Sequence, residues 1–272
     1  MQGFADSLRS QGKRIAIVPT MGYLHDGHAS LMEQGRERAD TLVVSVFVNP
    51  TQFGPQEDLN AYPRDFERDR DRMEAVGVDA VFYPTDGGMY GEGYQTYVTV
   101  EEVTQNLCGR SRPNHFRGVA TVVTKLFNIV KPHVALFGEK DFQQLVVIRR
   151  MVKDLNLDIE IVGCPIVRDP DGLAMSSRNK YLNSDERREA LAIKKALERA
   201  QELYRNGETR AQVLVGEANQ ILDKHSRIQT DYVSICDANT LTEVENVEGG
   251  TVMAIAAFLG NTRLIDNCLF PR

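Results

Sequence analysis

Along the front half of the chain, short apolar runs alternate with longer stretches in which apolar residues recur every three or four positions. The runs Arg14–Val18, Thr41–Val48, Asp79–Pro84, His133–Phe137 and Ile159–Val167 read as strands. The second is β-branched and apolar on both faces, which suits a parallel sheet covered by helices on both sides. Helical spacing occupies residues 26–40, 64–76, 119–131 and 142–156. Strands alternating with helices of this length predict right-handed βαβ units and an α/β fold with a Rossmann-like, doubly wound parallel sheet. The texture changes near Asn183. Ser184 reads as an N-cap with Asp185 and Glu186 in the first turn, and two amphipathic helices follow over 185–206 and 209–225. Thr230–Cys236, Thr251–Leu259 and Arg263–Phe270 read as strands, the last two joined by a tight turn at Gly260-Asn261. The expected organisation is a first domain over 1–176 and a smaller C-terminal α+β domain over 177–272, made of helices and a three-stranded antiparallel sheet.

Composition narrows the class. With 272 residues, 42% of them apolar, a large core can be buried, which excludes disorder. A net charge of −6 argues against non-specific nucleic-acid binding but leaves room for a local basic pocket. No apolar run reaches membrane-spanning length, and residues 1–13 lack a signal-peptide core. Cys108, Cys164, Cys236 and Cys268 share no metal-ligand spacing and read as free thiols of a reducing cytosol. The expected setting is cytoplasmic, with no nucleic-acid or membrane partner.

Several segments carry candidate chemistry. Met21-Gly22-Tyr23-Leu24-His25-Asp26-Gly27-His28 follows a strand and opens a helix. In open parallel sheets ligands sit outside the carboxyl ends of strands, and a helix N-terminus there offers N–H groups and a positive dipole end to phosphate. His25 and His28 share one helix face and can donate to phosphoryl oxygens as charge builds in a transition state. With no third ligand nearby, the same pair is a weak zinc signal. Gly138-Glu139-Lys140-Asp141 ends another strand. Lys140 can neutralise phosphate, and Asp141 can accept from ribose hydroxyls or hold a metal through water. In isolation this turn reads equally as a charged loop. Met175-Ser176-Ser177-Arg178, with Lys180 close behind, combines hydroxyls and cations into an anion clamp, or equally forms a solvated linker. Gln52, Gln143 and Gln144 can bind a hydroxyl or carboxylate without adding charge, although a single Gln is more often a surface residue. The basic loop Arg110–Gly118 suits either anion recruitment or a domain interface.

In order and spacing, Pro19–Gly22, His25–His28, Phe47–Pro50 with Gln52-Phe53, Gly138–Asp141 and Met175–Arg178 resemble the pantoate–β-alanine ligase family over almost the whole chain. The His-x-Gly-His element alone is shared more widely among nucleotidyltransferases, including some tRNA ligases. The resemblance implies ATP-dependent ligation of (R)-pantoate and β-alanine to pantothenate through a pantoyl-adenylate, with release of diphosphate and AMP. It also implies Mg²⁺ accompanying ATP and a cytoplasmic homodimer. It makes Met21, Gly22, Tyr23, Leu24, His25, Asp26, Gly27 and His28 the ATP loop. His28 becomes the acid or phosphate-stabilising residue with His25 assisting, and Lys140 the cation on the phosphates. Gly138, Glu139 and Asp141 join the ATP site, Val167 meets adenine through its backbone, and Met175, Ser176, Ser177 and Arg178 form a flexible clamp. Gln52 and Gln144 grip pantoate, Gln52 also near β-alanine. The resemblance assigns no metal ligands. Family members usually carry a short strand ahead of the first helix, and Met1 falls inside the segment matching that helix. Three other readings compete. An adenylyltransferase acting on a phosphate ester would lack the Gln52 and Gln144 pair. A tRNA ligase would need an anticodon-binding module. A nucleotide sensor would bind ATP without releasing diphosphate.

Overall fold

The computed structural model describes residues 1–55 and 57–271. They form two compact units, one of residues 1–101, 112–139 and 147–165, the other of 102–111, 140–146 and 166–272. In chain order the first stretch contains α1 (Gln2–Ser10), β1 (Ile15–Thr20), α2 (Asp26–Arg36), β2 (Thr41–Val46), α3 (Phe66–Val76), β3 (Ala80–Phe82) and the single turn α4 (Asp86–Met89). Then come the single turn α5 (Cys108–Ser111), α6 (His115–Val130), β4 (Val134–Gly138), α7 (Phe142–Asp154) and β5 (Glu160–Cys164).

The five strands of the first unit are parallel, in the order β3-β2-β1-β4-β5. One face of the sheet, with Ala16, Val18, Leu42, Val44, Val134 and Leu136, packs against Leu31 and Met32 of α2 and Met73 of α3. The opposite positions Ile15, Ile17 and Val43 are fully buried too, with α6 against β1. Burial on both faces is why β1, β2 and β4 read as unbroken apolar runs. At Gly35 a Cβ would lie 2.8 Å from Leu42 Cδ1, so any larger residue would push the Leu42 side chain aside as α2 packs on the sheet. Three strands are shorter than the apolar runs suggest. Pro84 and Pro165 lack the N–H a ladder needs and stand just beyond β3 and β5. Beyond Val46 the chain turns at Asn49-Pro50.

The second unit adds α8 (Ser184–Arg205), α9 (Ala211–Leu222), β6 (Ile228–Asp237), β7 (Thr251–Leu259) and β8 (Thr262–Leu269). The N-cap of α8 is Asn183, one residue before the expected Ser184. Its Oδ1 accepts from the N–H groups of Asp185 and Glu186 at 3.0 and 2.9 Å, while Glu186 accepts from the Asn183 N–H at 2.9 Å. Ala190, Ala196 and Ala200 of α8 and Leu214 and Leu222 of α9 bury themselves with Met253, Ile255 and Leu264 of the antiparallel sheet β6-β7-β8. Leu259 pairs with Thr262 across Gly260-Asn261, the expected hairpin, with Gly260 at φ +56°. Among the described residues no helix is long and apolar enough to cross a membrane.

Candidate active site

The strand order changes direction between β1 and β4, which pair in parallel, so the segments after Thr20 and Gly138 emerge at one edge of the sheet. That switch point is where open α/β sheets hold ligands. Thr20 Oγ1 donates to Ser45 O (2.8 Å) and accepts from Gly22 N–H (3.2 Å), turning the chain out of β1. Gly22 and Tyr23 both adopt left-handed backbone, at φ +80° and +52°. Asp69 of α3, 1% exposed, holds this turn by accepting from the N–H groups of Tyr23 (2.7 Å) and Leu24 (2.6 Å). Burial raises the pKa of Asp69, and the two N–H donors offset part of that rise. The Arg68 guanidinium lies 4.5 Å from the Tyr23 ring centroid.

His25 then starts α2 in an extended conformation. Its N–H donates to His28 Nδ1 at 3.3 Å, and the two rings lie 4.1 Å apart. A neutral His28 that accepts at Nδ1 carries its proton on Nε2, as a donor.

Gln52 closes a short 3₁₀ turn, Pro50–Gln52, and is nearly buried. Asn49 Nδ2 donates to Gln52 Oε1 (3.0 Å) and to Gly118 O (3.2 Å), while Asn49 Oδ1 accepts from Tyr90 OH (2.7 Å) and Thr51 Oγ1 (2.9 Å). With its oxygen engaged, Gln52 directs Nε2 at Met21 Sδ, 3.2 Å away. Two expected site residues are thereby brought into contact. The turn is braced from α6 and the loop before it. His115 Nδ1 lies 2.9 Å from Gln52 O, and Arg112 donates to the same oxygen while pairing with Glu57 through both carboxylate oxygens. The 112–118 part of the basic loop therefore orders the Gln52 turn. Burial pushes the Glu57 carboxyl up, but the hydrogen bond and charge of Arg112 outweigh it and leave the pKa lowered.

The remaining expected residues fall into two groups. Gly138 ends β4, and Glu139–Asp141 form a 3₁₀ turn into α7, with Lys140 Nζ 3.5 Å from Asp141 Oδ2. Of the two glutamines opening α7, Gln143 is structural. Its Nε2 donates to Val103 O and Asn106 O, and its Oε1 accepts from Cys108 N–H. Gln144 is partly exposed. Further on, Met175 N–H donates to Val167 O (3.0 Å) and Arg168 bridges Ala174, so residues 167–175 form a hairpin turned at Gly172. Arg187 of α8 clasps it through Asp169 (2.7 Å) and Asp171 (2.8 Å). Val167 is thus joined to the Met175–Arg178 segment, where Ser176 Oγ accepts from Arg178 N–H and caps a 3₁₀ turn over Ser177–Tyr181. Among the described residues, no three His, Cys, Asp or Glu side chains gather to hold a metal.

The sequence profile of the family described as pantoate-beta-alanine ligase matches residues 1–269. The chain belongs to that ligase family. It is 58% identical over 269 residues to the pantothenate synthetase of Geobacter sulfurreducens, covering 99% of this chain and 95% of that one. Its fold is similar to the crystal structure of the Thermus thermophilus pantothenate synthetase, with TM-score 0.94, 43% identity and 98% of each chain covered. It is also similar to the Francisella tularensis pantoate-beta-alanine ligase, solved in complex with beta-gamma ATP and beta-alanine (TM-score 0.79, 33% identity, 98% of this chain and 94% of that chain covered).

In this member of the ligase family, sequence reasoning passed over three residues that shape the site. Asp69 lies in so charged a helix that it reads as one more solvated carboxylate. Tyr90 reaches Asn49 from far along the chain. Gly118 lets α6 touch the Gln52 turn, because a Cβ there would lie 2.6 Å from Gln52 N and closer still to Thr51 O. A glycine directly ahead of the apolar helical spacing of 119–131 was the available signal for the last.

Proposed function

We propose that the chain joins (R)-pantoate to β-alanine in two steps, as a cytoplasmic homodimer, with residues 1–176 holding ATP and pantoate and 177–272 serving as the lid. A pantoate carboxylate oxygen attacks the α-phosphorus of ATP, and diphosphate leaves. The β-alanine amine then attacks the acyl carbon of the pantoyl-adenylate and loses a proton, and AMP leaves as the amide forms. Adenylation is needed because a carboxylate is a poor electrophile and a mixed anhydride a good one.

The observation that carries this reading is the Met21–His28 turn at the switch point, where the His25 N–H on His28 Nδ1 leaves Nε2–H as the donor of a neutral ring. Such a donor stabilises a phosphoryl oxygen most when charge is greatest, in the transition state. His25 assists at the same helix start, and Lys140 neutralises the phosphates. Val167 meets adenine, and Met175–Arg178 clamp the phosphate chain. Gln52 and Gln144 bind pantoate. Magnesium enters with ATP as part of the substrate. The half-exposed Asp141 carboxylate suits a cation that keeps most of its waters.

The test is to mix the protein with ATP, Mg²⁺ and (R)-pantoate, with and without β-alanine, and to follow diphosphate and AMP. AMP release that requires both acids is expected. ATP binding without turnover overturns the reading. Sedimentation at twice the chain mass of 30.5 kDa is expected of the dimer.

A further inference from the structure

In the middle of β8 stand two adjacent polar residues, Asp266 and Asn267, both buried, at 4% and 5% exposure. Burying a carboxylate and an amide is unfavourable unless each is engaged. Alternation along the strand sends their side chains to opposite faces. Asp266 accepts both prongs of Arg168, at 2.6 and 3.0 Å, and Arg168 also donates to Gly172 O inside the 167–175 hairpin. Asn267 Nδ2 donates to the backbone carbonyl of Lys140 at 3.0 Å, while its own N–H is held by Asp266 Oδ1 at 2.9 Å. Adjacent residues of one strand thus grip the hairpin that carries Val167 and the peptide that carries Lys140.

We propose that Asn267 is a positioning residue for Lys140, and that Asp266, through Arg168, anchors the adenine-facing segment to the same strand. β8 then sets the spacing between the part of the site that meets the base and the part that meets the phosphates. This rests on the reading of Lys140 and Val167 as nucleotide contacts. The Lys140 ammonium ends a flexible four-carbon stem, so its reach is defined only if its peptide is fixed.

The test is a double-mutant cycle of Asn267→Ala and Lys140→Ala in the full-length enzyme, read by steady-state AMP release. A misplacement of about 1 Å can cost up to about 100-fold, so Asn267→Ala is expected to lower kcat/KM for ATP by about 10- to 100-fold. The KM for β-alanine stays within about twofold, and in the Lys140→Ala background the same replacement costs less than about twofold, because the group it positions is gone. Equal losses in both backgrounds assign Asn267 a general structural role and overturn the inference. Normal ATP kinetics in Asn267→Ala, beside an impaired Lys140→Ala, overturn it as well. An unimpaired Lys140→Ala instead overturns the placement of Lys140 on the phosphates, and the inference with it. Should Asn267→Ala fail to fold, Asn267→Asp keeps the shape, lacks the N–H donor and serves in the same cycle.

Discussion

Replacing Asp69 by Asn keeps the shape of the side chain and removes one of its two acceptors. The carboxylate takes N–H groups from Tyr23 and Leu24 at 2.7 and 2.6 Å, and Tyr23 sits at φ +52°. That left-handed backbone costs a non-glycine residue about 1–2 kcal/mol. Two hydrogen bonds to a charged group, each worth about 1.5–3 kcal/mol, outweigh it. In Asp69→Asn one buried N–H faces an amide NH₂, and an unsatisfied donor costs about 1–3 kcal/mol. That loss is comparable to the left-handed cost, so the turn adopts other conformations before ATP arrives. At tenfold for every 1.4 kcal/mol or so, the KM for ATP should rise by about 5- to 100-fold. The pH dependence gives a second readout. Burial raises the folded-state pKa of Asp69 above the ordinary 3.8. Its contribution to stability is therefore fully present below 3.8 and is lost as pH rises through the folded value. Asp69→Asn removes that slope. The assay is the initial rate of AMP release against ATP at fixed (R)-pantoate and β-alanine, with thermal melts from acid to neutral pH. An ATP KM within about twofold of the parent enzyme, with unchanged melts, would refute the reasoning.

Further outcomes follow from the same geometry. His28→Ala should lower turnover by about 10²–10³-fold or more, as loss of a transition-state donor does, and near-normal turnover rules out its assigned role. Gln144→Ala should raise the KM for pantoate far more than that for ATP, and equal effects count against the pantoate assignment. Gly118→Ala places a Cβ 2.6 Å from Gln52 N and closer still to Thr51 O. It should cost about 1–3 kcal/mol in a denaturant titration, as overpacking does. It should also raise the KM for pantoate by displacing the Gln52 turn. Because Arg112 leaves the pKa of Glu57 lowered despite burial, its contribution to stability is present above the ordinary value of 4.5 and is lost as pH falls through the folded value. The melting difference between the parent enzyme and Glu57→Gln should therefore shrink toward zero in acid.

The strands and helices of both units were legible because burial on one or two faces writes itself into apolar spacing. The ends of β3 and β5 were less so, since periodicity continues past the prolines that stop the ladder. The Met21–His28 turn, the Gln52 segment and residues 175–178 stood out because each places unusual residues at a strand end or a helix start. Their supports did not. Asp69 holds the Met21–His28 turn from another helix, and Gln143 resembles Gln144 in sequence while spending its amide on Val103, Asn106 and Cys108. Such roles depend on which chain segments meet, and local pattern does not encode that.

The fixed amide of Gln52 sorts ligands by the sense of their polarity. Its oxygen is committed to Asn49, and Asn49 is itself held by Tyr90, Thr51 and Gly118, so the group cannot turn over without breaking several bonds. Whatever displaces Met21 in front of it meets N–H donors. Such donors suit a hydroxyl or carboxylate oxygen and oppose an ammonium group. With pantoate placed at Gln52 as proposed, this amide favours one of its oxygens over the amine end of β-alanine.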